Sequence, residues 1–151
     1  MLINVYWNKE SGDVVVPTIV KTEAGYWLNV EPVEHASLHD LQSLIEAVNR
    51  VAARCGQVVP TPPRQSLSKP VVLAHSGLKS QRDFEKKFDQ ISILRSFEGN
   101  FSIQRYRAAP EGAGRVADPD TSATFPPEVS LDQLIREFAE TIELKTKHSR
   151  S

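Results

Sequence analysis

Disulfides, membrane spans, repeats and strong net charge are all missing from this chain, and each gap removes a class of protein. Cys55 is the single cysteine among 151 residues, so no internal disulfide can form and a reducing compartment is the simplest setting. No apolar run approaches the roughly 20 residues that a membrane helix needs. The opening stretch, Met1 to Trp7, is too short and too quickly polar to read as a signal peptide. There is no internal repeat, no low-complexity segment and no linker long enough to divide the chain. What is present is 40% hydrophobic and 25% charged, which excludes wholesale disorder and collagen-like sequence. A chain of this length buries roughly two-thirds of its unfolded surface without metal or disulfide support. The expectation is one cytoplasmic domain over residues 1–144 with a frayed tail over residues 145–151.

The net charge of −1 hides a segregation along the chain. Residues 1–49 carry seven acids and two bases (−5), residues 50–115 twelve bases and five acids (+7), and residues 116–151 seven acids and four bases (−3). An acidic face that steers a basic partner, or a basic face that meets phosphates, would each follow from such asymmetry. The blander expectation is that folding interleaves the three blocks and leaves a mixed surface.

Leu2 to Trp7, Val14 to Val20 and Tyr26 to Val30 read as three strands joined by Ser11-Gly12-Asp13 and Ala24-Gly25 turns, an antiparallel meander. Pro17 inside the second strand demands an edge position or a bulge, because proline offers no N–H to a ladder. Ser37 followed by Asp40 reads as a helix start. Leu38, Leu41, Leu44, Ile45, Val48 and Ala52 then fall on one helical face, and Gly56 reads as the C-terminal stop. The Pro-rich stretch from Val58 to Arg64 reads as an extended loop, and Val71 to Ala74 as a short buried strand. Ser80 and Asp83 open a short helix with Phe84 and Phe88 inward. Ile91 to Phe97 and Phe101 to Arg105 form a hairpin about Glu98-Gly99-Asn100. Pro110 to Pro127 reads as a loop holding at most one short strand near Val116, and Ser130 with Gln133 caps a final helix. The order βββ-α-β-α-ββ-α predicts a single α+β domain, a mostly antiparallel sheet with three helices.

Catalytic constellations fail one after another. His35 and His39 are four apart, but Ser37 interrupts the helix between them and no third ligand accompanies them, so no metal is expected. Cys55 ends a helix, where the macrodipole disfavours a thiolate, and reads as a buried structural thiol. His75-Ser76-Gly77 lacks the G-x-S-x-G elbow, and Gly112-Ala113-Gly114 is too short for a phosphate loop. No cofactor and no enzyme activity are expected. Arg95, Arg105, Tyr106 and Arg107, in a hairpin with Phe101, offer the alternative of a small nucleic-acid-binding module, since cations beside an aromatic serve phosphate contact and stacking. With Phe101 expected to alternate into the core and a pI of about 6.4, the electrostatic footprint is weak and no stable nucleic-acid partner is expected.

The segment from Pro17 to Val33 (PTIVKTEAGYWLNVEPV), with Val58 to Arg64 and Lys69 to Leu73, resembles a small bacterial family that includes immunity proteins of contact-dependent growth-inhibition systems. The likeness runs over about half of the chain, from Trp7 to Phe84, with an echo in the final helix. It implies a cytoplasmic protein that binds and neutralises the C-terminal toxin domain, often a nuclease, of a large secreted adhesin-like protein. Such a family transfers no catalytic residue and no binding motif. From the residues themselves, Glu31, Glu34 and Asp40, with Tyr26 as an exposed aromatic, are expected to form the partner-binding face. One of Tyr26 and Trp27 is expected in the core, because neighbours on a strand alternate faces.

Overall fold

The computed structural model describes residues 1–63, 70–109 and 115–150, except the side chains of residues 119–121 and 143–150. Strands β1 (Leu2–Asn8), β2 (Asp13–Thr22) and β3 (Trp27–Ser37) form the expected meander, followed by helix α1 (Leu41–Arg54). Then come β4 (Val58–Val59), α2 (Val71–His75), α3 (Gln81–Lys87), β5 (Phe88–Arg95), β6 (Phe101–Ala108), β7 (Arg115–Phe125) and α4 (Leu131–Arg150). The strands make one seven-stranded sheet in the order β3-β2-β1-β5-β6-β7. All pairs on that path are antiparallel, and β4 lies parallel beside β2 with Lys21 against Val58.

The α+β class and the antiparallel sheet agree with the sequence reading, while the element order does not. It runs βββ-α-β-α-α-βββ-α, the additional helix being the five-residue α2. The strand expected at Val71 to Ala74 is α2: Pro70, with its φ of −60°, stands at the N-cap, and a single turn sets Val72 and Leu73 against Tyr6, Val15 and Val33. Packing onto the sheet thus overrides the β-preference of two valines. The loop expected from Pro110 contains β7 instead. This strand is the sheet edge, where a proline such as Pro119 is tolerated, and its register shifts opposite Ile103 and Arg105. The helix start expected at Ser37 falls at Asp40, whose carboxylate accepts from the Ser43 N–H at 3.2 Å, while Ser37 ends β3. Arg64, Lys69 and the Gly112-Ala113-Gly114 segment lie outside the described residues, as do the side chains from Lys145 on which a frayed tail was expected.

Other local expectations hold. Pro17 sits in an inner strand, and the β2–β3 register shifts between Pro17 and Thr18, with the Thr18 hydroxyl donating to the Pro32 carbonyl at 2.8 Å. The Ser80 hydroxyl caps α3 by accepting from the Asp83 N–H, and that of Ser130 caps α4 through the Gln133 N–H.

Strand alternation divides the core in two. Ile3, Val5, Trp7, Val14, Val16, Ile91, Ile93, Phe101 and Ile103 face α1 and α4, meeting Leu44, Val48, Val51, Leu134 and Ile135. Trp7 is 2% exposed, with its ring edge-on to Phe138 at 5.1 Å; burial of a side chain of this kind contributes about 2–3 kcal/mol. On the opposite face Tyr6, Val15 and Val33 pack with Val72, Leu73, Phe84 and Phe88 under α2 and α3. Cys55 is half-buried, its thiol donating to the Ala52 carbonyl.

Candidate partner-binding site

The β2–β3 hairpin is pinned at its tip. Gly25 takes a φ of +96°, and Thr22 N–H donates to the Tyr26 carbonyl at 2.9 Å. The buried Thr22 hydroxyl bridges Tyr26 N–H and carbonyl, both at 3.2 Å. From the other side, Glu23 N–H donates to the Val59 carbonyl and Ala24 N–H to the Thr61 hydroxyl, so β4 and its continuation buttress the turn. This frame holds Tyr26 and Trp27 outward, 40% and 43% exposed. The expectation that one of them is core fails: α1 meets β3 further along the strand, where Arg50 and Arg54 reach Glu34, and neither ring belongs to a buried cluster. Trp27 stands opposite Lys21, whose ammonium lies 5.6 Å from the ring centroid, and Lys21 stands opposite Val58. Trp27, Lys21 and the exposed Val58 therefore form one row across three strands, with Tyr26 beside it. Lys21, Trp27 and Val58 were missed in the sequence; the Ala24-Gly25 turn immediately before Tyr26 was the signal that both aromatics occupy a tip.

The expected acidic residues do not converge. Glu34 stands opposite Val16 on the α1 face, where Arg50 and Arg54 donate to its Oε1 at 2.9 and 3.3 Å. Burial pushes its carboxyl upward, but the hydrogen bonds and charge of the two guanidiniums outweigh this and hold it below the ordinary range. Glu31 lies on the other face of β3, exposed, accepting from His75 Nε2 at 2.6 Å; that bond lowers its carboxyl below the ordinary range. Asp40 is spent on the α1 cap. Of the four, Tyr26 and Glu31 are the two that remain presented to a partner, with Trp27 two residues from Asn29, whose amide reaches the Tyr6 hydroxyl on Glu31's side of the sheet.

His75 Nδ1 also meets His35 Nε2 at 2.9 Å, making a Glu31–His75–His35 chain that ties α2 to β3. Because His75 uses different ring nitrogens toward its two neighbours, the three do not converge on one point, and no metal-binding group of three occurs among the described residues. His39 lies apart, its ring against the Ser11 carbonyl at 3.2 Å. The Arg and Tyr hairpin also separates. Arg105 is bound to the buried Asp89 at 2.7 Å and Arg107 to Asp118 at 2.8 Å, Arg95 covers the buried Phe101, and Tyr106 faces the opposite side of the sheet. Two of its three cations are thereby committed within the fold.

No protein-family model matches the sequence, and no curated protein matches it. Solved structures do match its fold. A protein of unknown function from Neisseria meningitidis, NMB0488, superposes with a TM-score of 0.64 at 13% identity, over 93% of this chain and 92% of that one. A chain of the CdiA-CT/CdiI toxin and immunity complex from Yersinia pseudotuberculosis superposes with a TM-score of 0.56, also at 13% identity, over 96% of this chain and 95% of that one. The likeness in α+β architecture to a chain of a toxin and immunity complex thus extends over 96% of these residues. Among the described residues no helix is long and apolar enough to cross a membrane.

Proposed function

We propose that this chain is a cytoplasmic immunity protein, which binds the C-terminal toxin domain of a contact-dependent growth-inhibition system and neutralises it by occupying its surface, without catalysis of its own. The near-complete fold likeness to a chain of a CdiA-CT/CdiI complex carries the reading, and the sequence resemblance from Trp7 to Phe84 points the same way. The pinned β2–β3 tip supplies the physical means. Tyr and Trp held rigidly outward cost little ordering entropy on binding and are the residue types that dominate interface energetics. Glu31 adds a charge that sets orientation and association rate more than affinity.

The test is the affinity of the purified chain for the proposed toxin domain, the C-terminal segment of the long reading frame expected beside its gene. Tyr26→Ala and Trp27→Ala are each expected to weaken binding by about 2 kcal/mol, roughly 30-fold, with unchanged melting temperature. Glu34→Gln is expected to leave affinity within about threefold, because that carboxylate is engaged with α1. Wild-type affinity in both aromatic variants removes the tip as the interface, and no binding by the folded wild-type chain removes the immunity reading itself.

A further inference from the structure

Sheet register places a second, chemically different surface on the face that carries α2 and α3. Three cross-strand rows there run Leu2, Leu94, Ser102 and Thr124, then Asn4, Ser92 and Gln104, then Tyr6, Gln90, Tyr106 and Ala117. Helix α3 covers the Tyr6 end through Phe84, and no described helix covers the remainder. Apart from Leu2, Leu94 and Ala117 these side chains are polar and uncharged, and the Gln104 amide donates to the Arg105 and Asp118 carbonyls. Asn4 Oδ1 accepts from Ser92 and Gln90 at 2.6 and 3.2 Å, its amide NH₂ makes no hydrogen bond among the described residues, and Tyr106 is half-exposed at the border with α3.

The border is cationic. Away from this face Arg50 and Arg54 pair with Glu34 and Arg107 with Asp118, so the charge blocks interleave, while Arg105 pairs with Asp89 of its own block. Lys79, Arg82, Lys86 and Lys87 on and before α3 are exposed and form no ion pair among the described residues. The stretch from Lys79 to Lys87 thus sets four cations against Asp83 and Glu85, a net charge of +2 beside an open polar sheet. Arg115 continues this border at the start of β7, its guanidinium 5.4 Å from the Phe84 ring centroid and its Nη2 buried without a hydrogen-bond partner.

We infer that this face binds single-stranded RNA, the α3 cations contacting phosphates while Tyr106 stacks a base above the Asn4, Gln90, Ser92 and Gln104 row. Amide and hydroxyl groups can both donate to and accept from base edges and the 2′-hydroxyl, a match that neither a lipid headgroup nor an acidic protein makes as fully. The surface is separate from the β2–β3 tip and does not rest on the immunity reading.

The experiment is fluorescence anisotropy of the full chain with a fluorescein-labelled 12-nucleotide pyrimidine RNA. Binding at 50 mM salt is expected, with a log–log salt slope of about −3, since each of four phosphate contacts contributes about −0.7. The Lys79→Glu, Arg82→Glu, Lys86→Glu variant is expected to lose detectable binding, and Tyr106→Ala to weaken it by roughly 5- to 150-fold with the slope unchanged. Circular dichroism confirms that both variants are folded. No binding by the wild-type chain at 50 mM salt overturns the inference. Equal affinity for the matching DNA overturns the assignment to RNA. Equal affinity for heparin or anionic vesicles with Tyr106→Ala silent overturns it in favour of a general polyanion surface. In every case, toxin neutralisation by the charge-reversed variant reports on the immunity function separately.

Discussion

The Asp89–Arg105 pair is the sharpest place to test whether the charges of the β5–β6 hairpin are structural. Their side chains are 4% and 13% exposed, 2.7 Å apart, with the guanidinium 5.4 Å from the Trp7 ring centroid and its Nε already lacking a hydrogen-bond partner. Asp89→Leu strands a cation against the main core, for which the expected loss is about 3–5 kcal/mol. Arg105→Met strands the carboxylate instead, but Lys9 lies 3.9 Å from it, so the expected loss is smaller, about 2–3 kcal/mol. The double variant removes both charges and replaces them with apolar bulk, and is expected within about 1 kcal/mol of wild type. With a urea slope of about 2 kcal/mol per molar, the Asp89→Leu midpoint falls by about 1.5–2.5 M and the double variant recovers nearly all of it. The assay is urea unfolding of the four proteins followed by tryptophan fluorescence. Single losses below about 1 kcal/mol that simply add would refute the argument and return Arg105 to the set of residues available to a ligand.

Two further perturbations test the turn and the edge strand. Gly12 combines a φ of +80° with a virtual Cβ 2.9 Å from His39 Nε2, so Gly12→Ala is expected to cost more than Gly25→Ala, where φ is +96° but nothing lies within 4 Å. Backbone strain alone is about 1–2 kcal/mol at either glycine, and equal losses by thermal unfolding would remove the His39 contact from the account. Glu34 has its folded carboxyl held below the ordinary value of 4.5, so its contribution is complete above that value and is lost as pH falls through the lower, folded one. Glu34→Gln is expected to flatten the acid limb of a stability–pH profile, and an unchanged limb contradicts the assigned pairing.

Much of this architecture is visible in residue patterns, and the exceptions share one cause. Strands β1 and β2, α1 and the β5–β6 hairpin are each specified by local periodicity and turn chemistry, so the alternation of Ile3, Val5 and Trp7 or the cap at Ser80 could be read directly, whereas β3, expected to end at Val30, runs on through Pro32 to Ser37. The misread segments are those whose state depends on distant partners. Val71 to His75 becomes helical because Val15 and Val33 offer it a surface, and β7 forms because an edge of β6 is there to pair with, despite Pro119. The same limit governs the site. Charge along β3 could be counted, but Glu31 and Glu34 part to opposite faces because the strand continues through them to Ser37 instead of stopping at Val30, and residues three apart on a strand alternate. Tyr26 was legible as an exposed aromatic, while the expectation that one of Tyr26 and Trp27 is core came from an alternation rule that presumes both strand faces are used.

Neutralisation in living cells tests the central claim most directly. The C-terminal segment of the long reading frame expected beside this chain's gene, the proposed toxin domain, is induced in a sensitive strain with the wild-type chain, the Tyr26→Ala, Trp27→Ala double variant, or no partner, and growth is followed. The wild-type chain restores growth and the folded double variant does not, if the protein acts by covering its target through the β2–β3 tip. Persistent arrest beside abundant, soluble wild-type chain would contradict the account.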